Sequence, residues 1–181
     1  TILSVIILAI SLGQLKAQVF VSPQGKVHFH SNTPLEDIDA TSSEGSCMIN
    51  TATKHVTAKV EMKSFVFPKP LMQEHFNENY VESDKFPNAV LEADITSPVD
   101  FKKDGTYKVT LKGTFEIHGV KKPYTIPGTL VIKGAVPYSA TAAFDVKLVD
   151  HDIKIPTAVI MKIAEVIKVD VNFVFNKNNN K

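Results

Sequence analysis

Apolar and polar residues alternate along most of the chain. In HVTAKVEMKSF, Val56, Ala58, Val60 and Met62 fall on one side of an extended backbone, and His55, Thr57, Lys59, Glu61 and Lys63 fall on the other. Successive side chains of a strand point to opposite faces, so the pattern predicts a strand with one dry face and one wet face. It recurs at Ala89, Leu91, Ala93 and Ile95, then at Tyr107, Val109, Leu111, Gly113, Phe115 and Ile117. It returns at Tyr124, Ile126, Gly128, Leu130 and Ile132, at Ala140, Ala142, Phe144, Val146 and Leu148, and at Ile167, Val169, Val171, Phe173 and Phe175. Shorter strands are predicted over Gly25 to Ser31, Leu35 to Ala40 and Cys47 to Thr51.

Turn residues separate these runs at Asp104-Gly105, at His118-Gly119 and from Gly134 to Pro137. Consecutive hairpins make an antiparallel meander. Eight or nine strands with one apolar face each hide those faces by closing into a barrel or by stacking as a sandwich. Ala89, Ala93, Gly113, Gly128, Ala140 and Ala142 all fall on the apolar face, where a sandwich core calls for bulk. Small inward residues leave a lumen in a barrel, whereas a strand glycine can instead mark a bend. The predicted fold is all-β, a closed antiparallel barrel of about eight strands with one short amphipathic helix inserted.

That helix lies in PLMQEHFNENYVES. Leu71, Met72, Phe76, Tyr80 and Val81 recur at helical spacing from Pro70, which suits a first turn, and acids occupy the other face. A second break, Pro156 to Ala164, is apolar on nearly all sides and reads as a short helix or a loop closing the barrel. The tail from Asn176 to Lys181 is low-complexity and reads as a frayed terminus.

The first residues, TILSVIILAISL, followed by GQLKA, read as the apolar core and cleavage site of a secretory signal peptide over residues 1–17. The run is too short for a membrane span, so no stable membrane insertion is expected. Residues 18–181 are then one exported domain. Removing the leader takes Lys16 with it and leaves the remainder formally neutral, from a net charge of +1. Scattered neutral charge gives no electrostatic footprint for nucleic acid. All 20 basic residues are lysines, so no guanidinium fork is present to grip phosphate. The one cysteine, Cys47, forms no internal disulfide and reads as a buried thiol.

Candidate chemistry is sparse. His28 and His30 lie two apart on one strand and can chelate a metal ion if the fold adds His75, His118 or His151, although the alternation places both on the wet face. Glu74, Glu78, Glu82 and Asp84 include a helical spacing of four that suits paired acids, or equally a solvated helix face. No nucleophile elbow, phosphate-binding loop, dinucleotide fingerprint or HExxH is present. No enzyme activity and no cofactor are expected.

The runs MQEHFNENYVESDKFPNAVLEADI, DGTYKVTLKGTFEIHGVKKPYTIPGTL, AAFDVKLVDHDIKIP and IKVDVNF resemble the YceI-like family of exported bacterial lipid-binding barrels. Its most specific pieces are His75 with the corner Ser83 to Pro87, and the hairpin from Leu111 through Gly119 to Pro123. The chain departs from the family pattern at its opening, VFVSPQGKVHFHS, and at Gln73-Glu74 before the helix histidine. The resemblance implies a lipocalin-like barrel in the periplasm, a lumen holding a polyisoprenoid or quinone-like chain, and homodimers in some members. The expected wall residues are Met62, Phe65, Phe67, Leu91, Phe115 and Ile117, with Phe144, Val146, Val171 and Phe173. Leu71, Met72, Phe76 and Tyr80 are expected to close one mouth, with His75 and the Tyr80 hydroxyl meeting a polar head group. Two rival readings are a stress or interaction protein with a packed barrel, and a metal-dependent enzyme using His28 and His30.

Overall fold

The alternating runs pair in chain order and close on themselves. The computed structural model describes residues 19–156 and 163–175. Its strands are β1 (Val19–Asn32), β2 (Asp37–Asn50), β3 (His55–Glu61), β4 (Asn88–Ile95), β5 (Gly105–Ile117), β6 (Val120–Ile132), β7 (Pro137–Lys147) and β8 (Val166–Val174). Each is antiparallel to the next, and β8 returns to β1, with Val27 opposite Val171 and Phe29 opposite Val169. Closure gives every strand a partner on both sides and turns the dry faces inward, which decides for the barrel over the sandwich.

The first two strands differ from expectation. Leu35 to Ala40 and Cys47 to Thr51 are not separate strands, because β2 runs unbroken for 14 residues through the polar stretch between them. Ser42 in this stretch and Ser22 of the neighbouring β1, both fully buried, occupy inward positions. Ser42 shares a 2.6 Å hydrogen bond with Ser64, and the Ser22 hydroxyl donates to the Gln24 carbonyl at 3.1 Å. Satisfied hydroxyls can lie inside, so the dry face continues where apolar alternation stops. Register shifts around Gly25 bend β1 at the same level.

The small inward residues divide into two groups. Ala89, Gly128, Ala140 and Ala142 line the lumen. Gly113 instead marks a close strand approach, since a Cβ there would lie 2.0 Å from the Glu92 carbonyl oxygen and 2.4 Å from the Ala93 Cα.

The inserted helix is shorter than predicted. α1 spans Pro70–His75 with Pro70 in its first turn, and the chain then widens into a π-helical turn over Phe76–Tyr80. The Val81 amide donates to the Phe76 carbonyl five residues back, which ends the helix before Ser83. The end of the barrel that carries α1 also carries the β1–β2 turn, the β5–β6 turn and a 3-10 turn over Leu148–His151. Buried Phe20, Ile132 and Phe175 belong to the opposite end. The leader expected at 1–17, the tail from 176 and positions 157–162 of the predicted closing segment lie outside the described residues.

Candidate functional site

The inward side chains enclose a cavity of about 510 Å³. All of the expected wall residues line it: Met62, Phe65, Phe67, Leu91, Phe115, Ile117, Phe144, Val146, Val171 and Phe173. The β-register sets them in rows, with Ala58 opposite Leu91, Leu91 opposite Phe115, and Phe144 opposite Val169. Phe29, Ile38, Leu111 and Val169 also line it. These were not among the expected contacts, although Phe29, Leu111 and Val169 sit on the predicted inner faces.

Four phenylalanines gather beneath α1. Phe29, Phe65, Phe67 and Phe76 hold ring centroids 5.0 to 5.9 Å apart. Such edge-to-face and offset contacts contribute beyond area burial. The segment bearing Phe65 and Phe67 is fixed by paired backbone bonds between Thr41 and Val66, and by a 3.3 Å bond from the Phe67 amide to Gln73 Oε1. The rim around them is mixed. Leu71 lines the cavity but is 60% exposed, so it sits at the lip and not in the wall. Met72 is half-buried and packs on the core, while His75 lies exposed at the lip. Lys69 pairs with Glu36 at 3.0 Å. Tyr80 is half-buried, and burial pushes its phenol above the usual value.

The two motifs that carry the family resemblance meet at this end. His118 and Gly119 form the two-residue turn between β5 and β6, both with positive φ, +55° and +72°. The Phe86 ring packs on His118 at 4.7 Å and lies so close to Gly119 that a Cβ there would be 2.5 Å from it. His118 Nε2 bonds the Glu82 carboxylate at 2.7 Å, and His118 Nδ1 donates to the His151 carbonyl at 3.1 Å. The His118 bond holds the Glu82 carboxyl below its usual range. His151, fully buried, donates from Nδ1 to the Val120 carbonyl at 3.0 Å, so its Nε2 accepts the Tyr124 hydroxyl at 3.0 Å. Desolvation holds this imidazole below its usual value and neutral. Sequence alone raised His118 and His151 only as further metal ligands, because their partners lie 27 to 36 residues away.

The outer wall holds the other histidines. His28 Nε2 and His30 Nδ1 both reach Asp39 Oδ1, at 2.8 and 3.0 Å. Neither His75, His118 nor His151 joins them, and among the described residues no group of three ligands suited to a metal ion occurs. Glu74 and Glu78 are exposed, and Asp84 pairs with Lys63, so the helix acids form no paired acid site. Burial pushes the Cys47 thiol up to about 12, which leaves it protonated and inert at neutral pH.

His55 lies 2.8 Å from both Asp94 and Glu92, and the Asp94 bond followed by that of Glu92 raises its pKa above 6.5. A proton NMR titration is expected to show this elevation, and Asp94→Asn to reduce it. Because the folded value is the higher one, the contribution to stability is present below pH ~6.5 and is lost as pH rises through the folded value. The ring is 42% exposed, so the contribution is small.

No curated protein matches the chain in sequence. Solved structures match it in fold. A polyisoprenoid binding domain from Saccharophagus degradans, implicated in plant cell wall breakdown, superposes with a TM-score of 0.68 at 13% identity, covering 89% of this chain and 99% of that one. BcnA of Burkholderia cenocepacia gives 0.67 at 15% identity, covering 83% and 95%. The YceI protein of Campylobacter jejuni gives 0.59 at 14% identity, covering 77% and 85%. The model of the YceI-like domain matches residues 20–175, from the second residue of β1 to just past β8, and this chain therefore belongs to the YceI-like domain family.

Proposed function

We propose that this protein is an exported, non-enzymatic carrier or storage protein that holds the apolar chain of a lipid, polyisoprenoid, quinone-like or fatty-acyl, inside its barrel. The carrying observation is the cavity of about 510 Å³ walled by aliphatic and aromatic side chains. It also counts against the packed-barrel reading. The placement of His28 and His30 on the outer wall, bonded to Asp39, counts against the metal-enzyme reading. A binding domain of the same fold for polyisoprenoids supports the choice of ligand class.

The volume bounds the cargo. A methylene is about the size of a water molecule, whose share of liquid volume is about 30 Å³, so the lumen takes roughly seventeen such groups. At ~0.8 kcal/mol per buried methylene these contribute about 14 kcal/mol. Subtracting ~5 kcal/mol for lost freedom of the chain leaves micromolar affinity or better. Met72, Phe76 and Tyr80 close the α1 mouth, and His75, Tyr80 and the Glu36–Lys69 pair form the polar lip where a head group stays in water.

Extraction of the purified protein into organic solvent, followed by mass spectrometry, is expected to release a lipid with an apolar chain in stoichiometric amount. A protein that releases none and also takes up neither prenyl nor acyl chains when offered them would overturn this reading.

A further inference from the structure

The barrel wall is not equally strong all round. β5 and β6 pair along their whole length, from Gly105 opposite Ile132 to Ile117 opposite Val120. β6 and β7 pair only from Ile132 opposite Pro137 to Gly128 opposite Ala142, although both strands run on toward the α1 end. The chain explains the break. In a two-residue hairpin the flanking pair, here Ile117 and Val120, exchanges both backbone bonds, and bonding direction then alternates along the strand. Even-numbered residues of β6 therefore bond β5, and odd-numbered ones face β7. The next two β6 residues facing β7 after Thr129 include Pro127, and a further one is Pro123. Neither has an N–H to donate, so the ladder stops where the first proline falls.

A cleft of about 380 Å³ lies at this break, bordered by Tyr124, Thr125 and Pro127 of β6, by Ala143 and Asp145 of β7, and by Lys168 and Asp170 of β8. Phe144 and Val169 line both the cleft and the lumen, so one layer of side chains separates them. The slot is clasped at its α1 end by His151, which bonds Val120 and Tyr124 of β6. The α1 mouth, by contrast, is narrowed by the cluster of Phe29, Phe65, Phe67 and Phe76 and tied down by the Thr41–Val66 bonds.

We propose that the β6–β7 gap is a side portal of the lumen, gated by Phe144, through which an apolar chain slips in broadside while α1 stays in place. This rests on the lumen reading above. Swinging the Phe144 ring aside gives up its edge contacts with Phe115 at 5.6 Å and Tyr124 at 6.0 Å but breaks no β6–β7 backbone bond, whereas opening the α1 mouth disrupts five ring contacts among four phenylalanines and two backbone bonds.

The test is uptake of a dansyl-tagged undecanoic acid by the full chain, followed by stopped-flow fluorescence. Pro123→Val/Pro127→Val supplies two donors aimed at β7 and is expected to slow uptake about tenfold while equilibrium affinity stays within about twofold. A second route is Thr125→Cys/Asp145→Cys, which places thiols at positions the ladder would set opposite each other. Its oxidised form is expected to be slow and its reduced form to recover. Thr41→Cys/Val66→Cys ties the α1 side shut, and its oxidation is expected to leave the rate unchanged. Unaltered uptake in both seam variants, or slowing only in the Thr41/Val66 variant, would overturn the portal while leaving lumen binding intact. A native protein that takes up no probe would overturn both.

Discussion

Gly113→Val is expected to leave little or no folded barrel. The native φ at this position is not in the left-handed region, so the objection is space alone. Gly113 lies opposite Ala93 across the β4–β5 ladder, and a Cβ would meet the Glu92 carbonyl oxygen at 2.0 Å and the Ala93 Cα at 2.4 Å. Both are backbone atoms of a strand held on its other side by β3, so relief requires moving the sheet. A loss of more than about 4 kcal/mol is expected, against a total stability of ~5–15 kcal/mol for a domain. Gly113→Ala is expected to lose less in the same direction. Gly105→Ala is expected to be nearly neutral, because a Cβ there meets only the Tyr107 ring at 3.4 Å. Urea unfolding followed by circular dichroism checks the order, and a native midpoint for Gly113→Val would remove the close-approach account.

The β3 to β8 part of the barrel was legible because a barrel wall has one dry side, and the side-chain period of two records it directly. Val56, Val109, Ile126, Val146 and Phe173 each lie buried where alternation put them. β1 and β2 were harder to read for a physical reason. Their inner faces use Ser22, Ser31 and Ser42, and whether a buried hydroxyl is satisfied depends on residues far along the chain, such as Ser64 for Ser42 and Ala164 for Ser31. The helix was legible in its start, since Pro70 acts locally. Its π-helical end at Phe76–Tyr80 was not, because the pattern of apolar spacing does not resolve a helical turn that widens by one residue.

The candidate site divides along the same line. Most wall residues follow from alternation, but Phe65 and Phe67 share the phase of the outward Lys59, Glu61 and Lys63, and they line the lumen because the 3-10 turn over Met62–Ser64 shifts the phase of the chain. The clasp of Glu82, His118, His151 and Tyr124 depends on the way the barrel brings the corner before β4, the β5–β6 turn and the turn after β7 to one end. Pro123 and Pro127 were visible from the start, but their effect needs the hydrogen-bond phase of β6, which only the paired β5–β6 hairpin sets.

Ala58→Trp is expected to abolish chain uptake while the barrel stays folded. Ala58 faces the lumen between Cys47 of β2 and Leu91 of β4, so an indole there projects into the space an apolar chain would fill. Displacing about four methylenes at ~0.8 kcal/mol each removes ~3 kcal/mol, a loss of affinity of more than 100-fold. Crowding and the unpaired indole N–H cost about 2–4 kcal/mol of stability, which a domain of this size can withstand. The chain contains no tryptophan, so the new indole is also the sole reporter of its kind. Its emission is expected at the short wavelengths of a dry site, and unresponsive to the dansyl-tagged acid because nothing binds beside it. Thr57→Trp, one residue along and on the outer face, is expected to emit as a solvated indole and to leave uptake unchanged. Undiminished uptake by a folded Ala58→Trp protein would place the chain outside the lumen, and the carrier reading would fall with it.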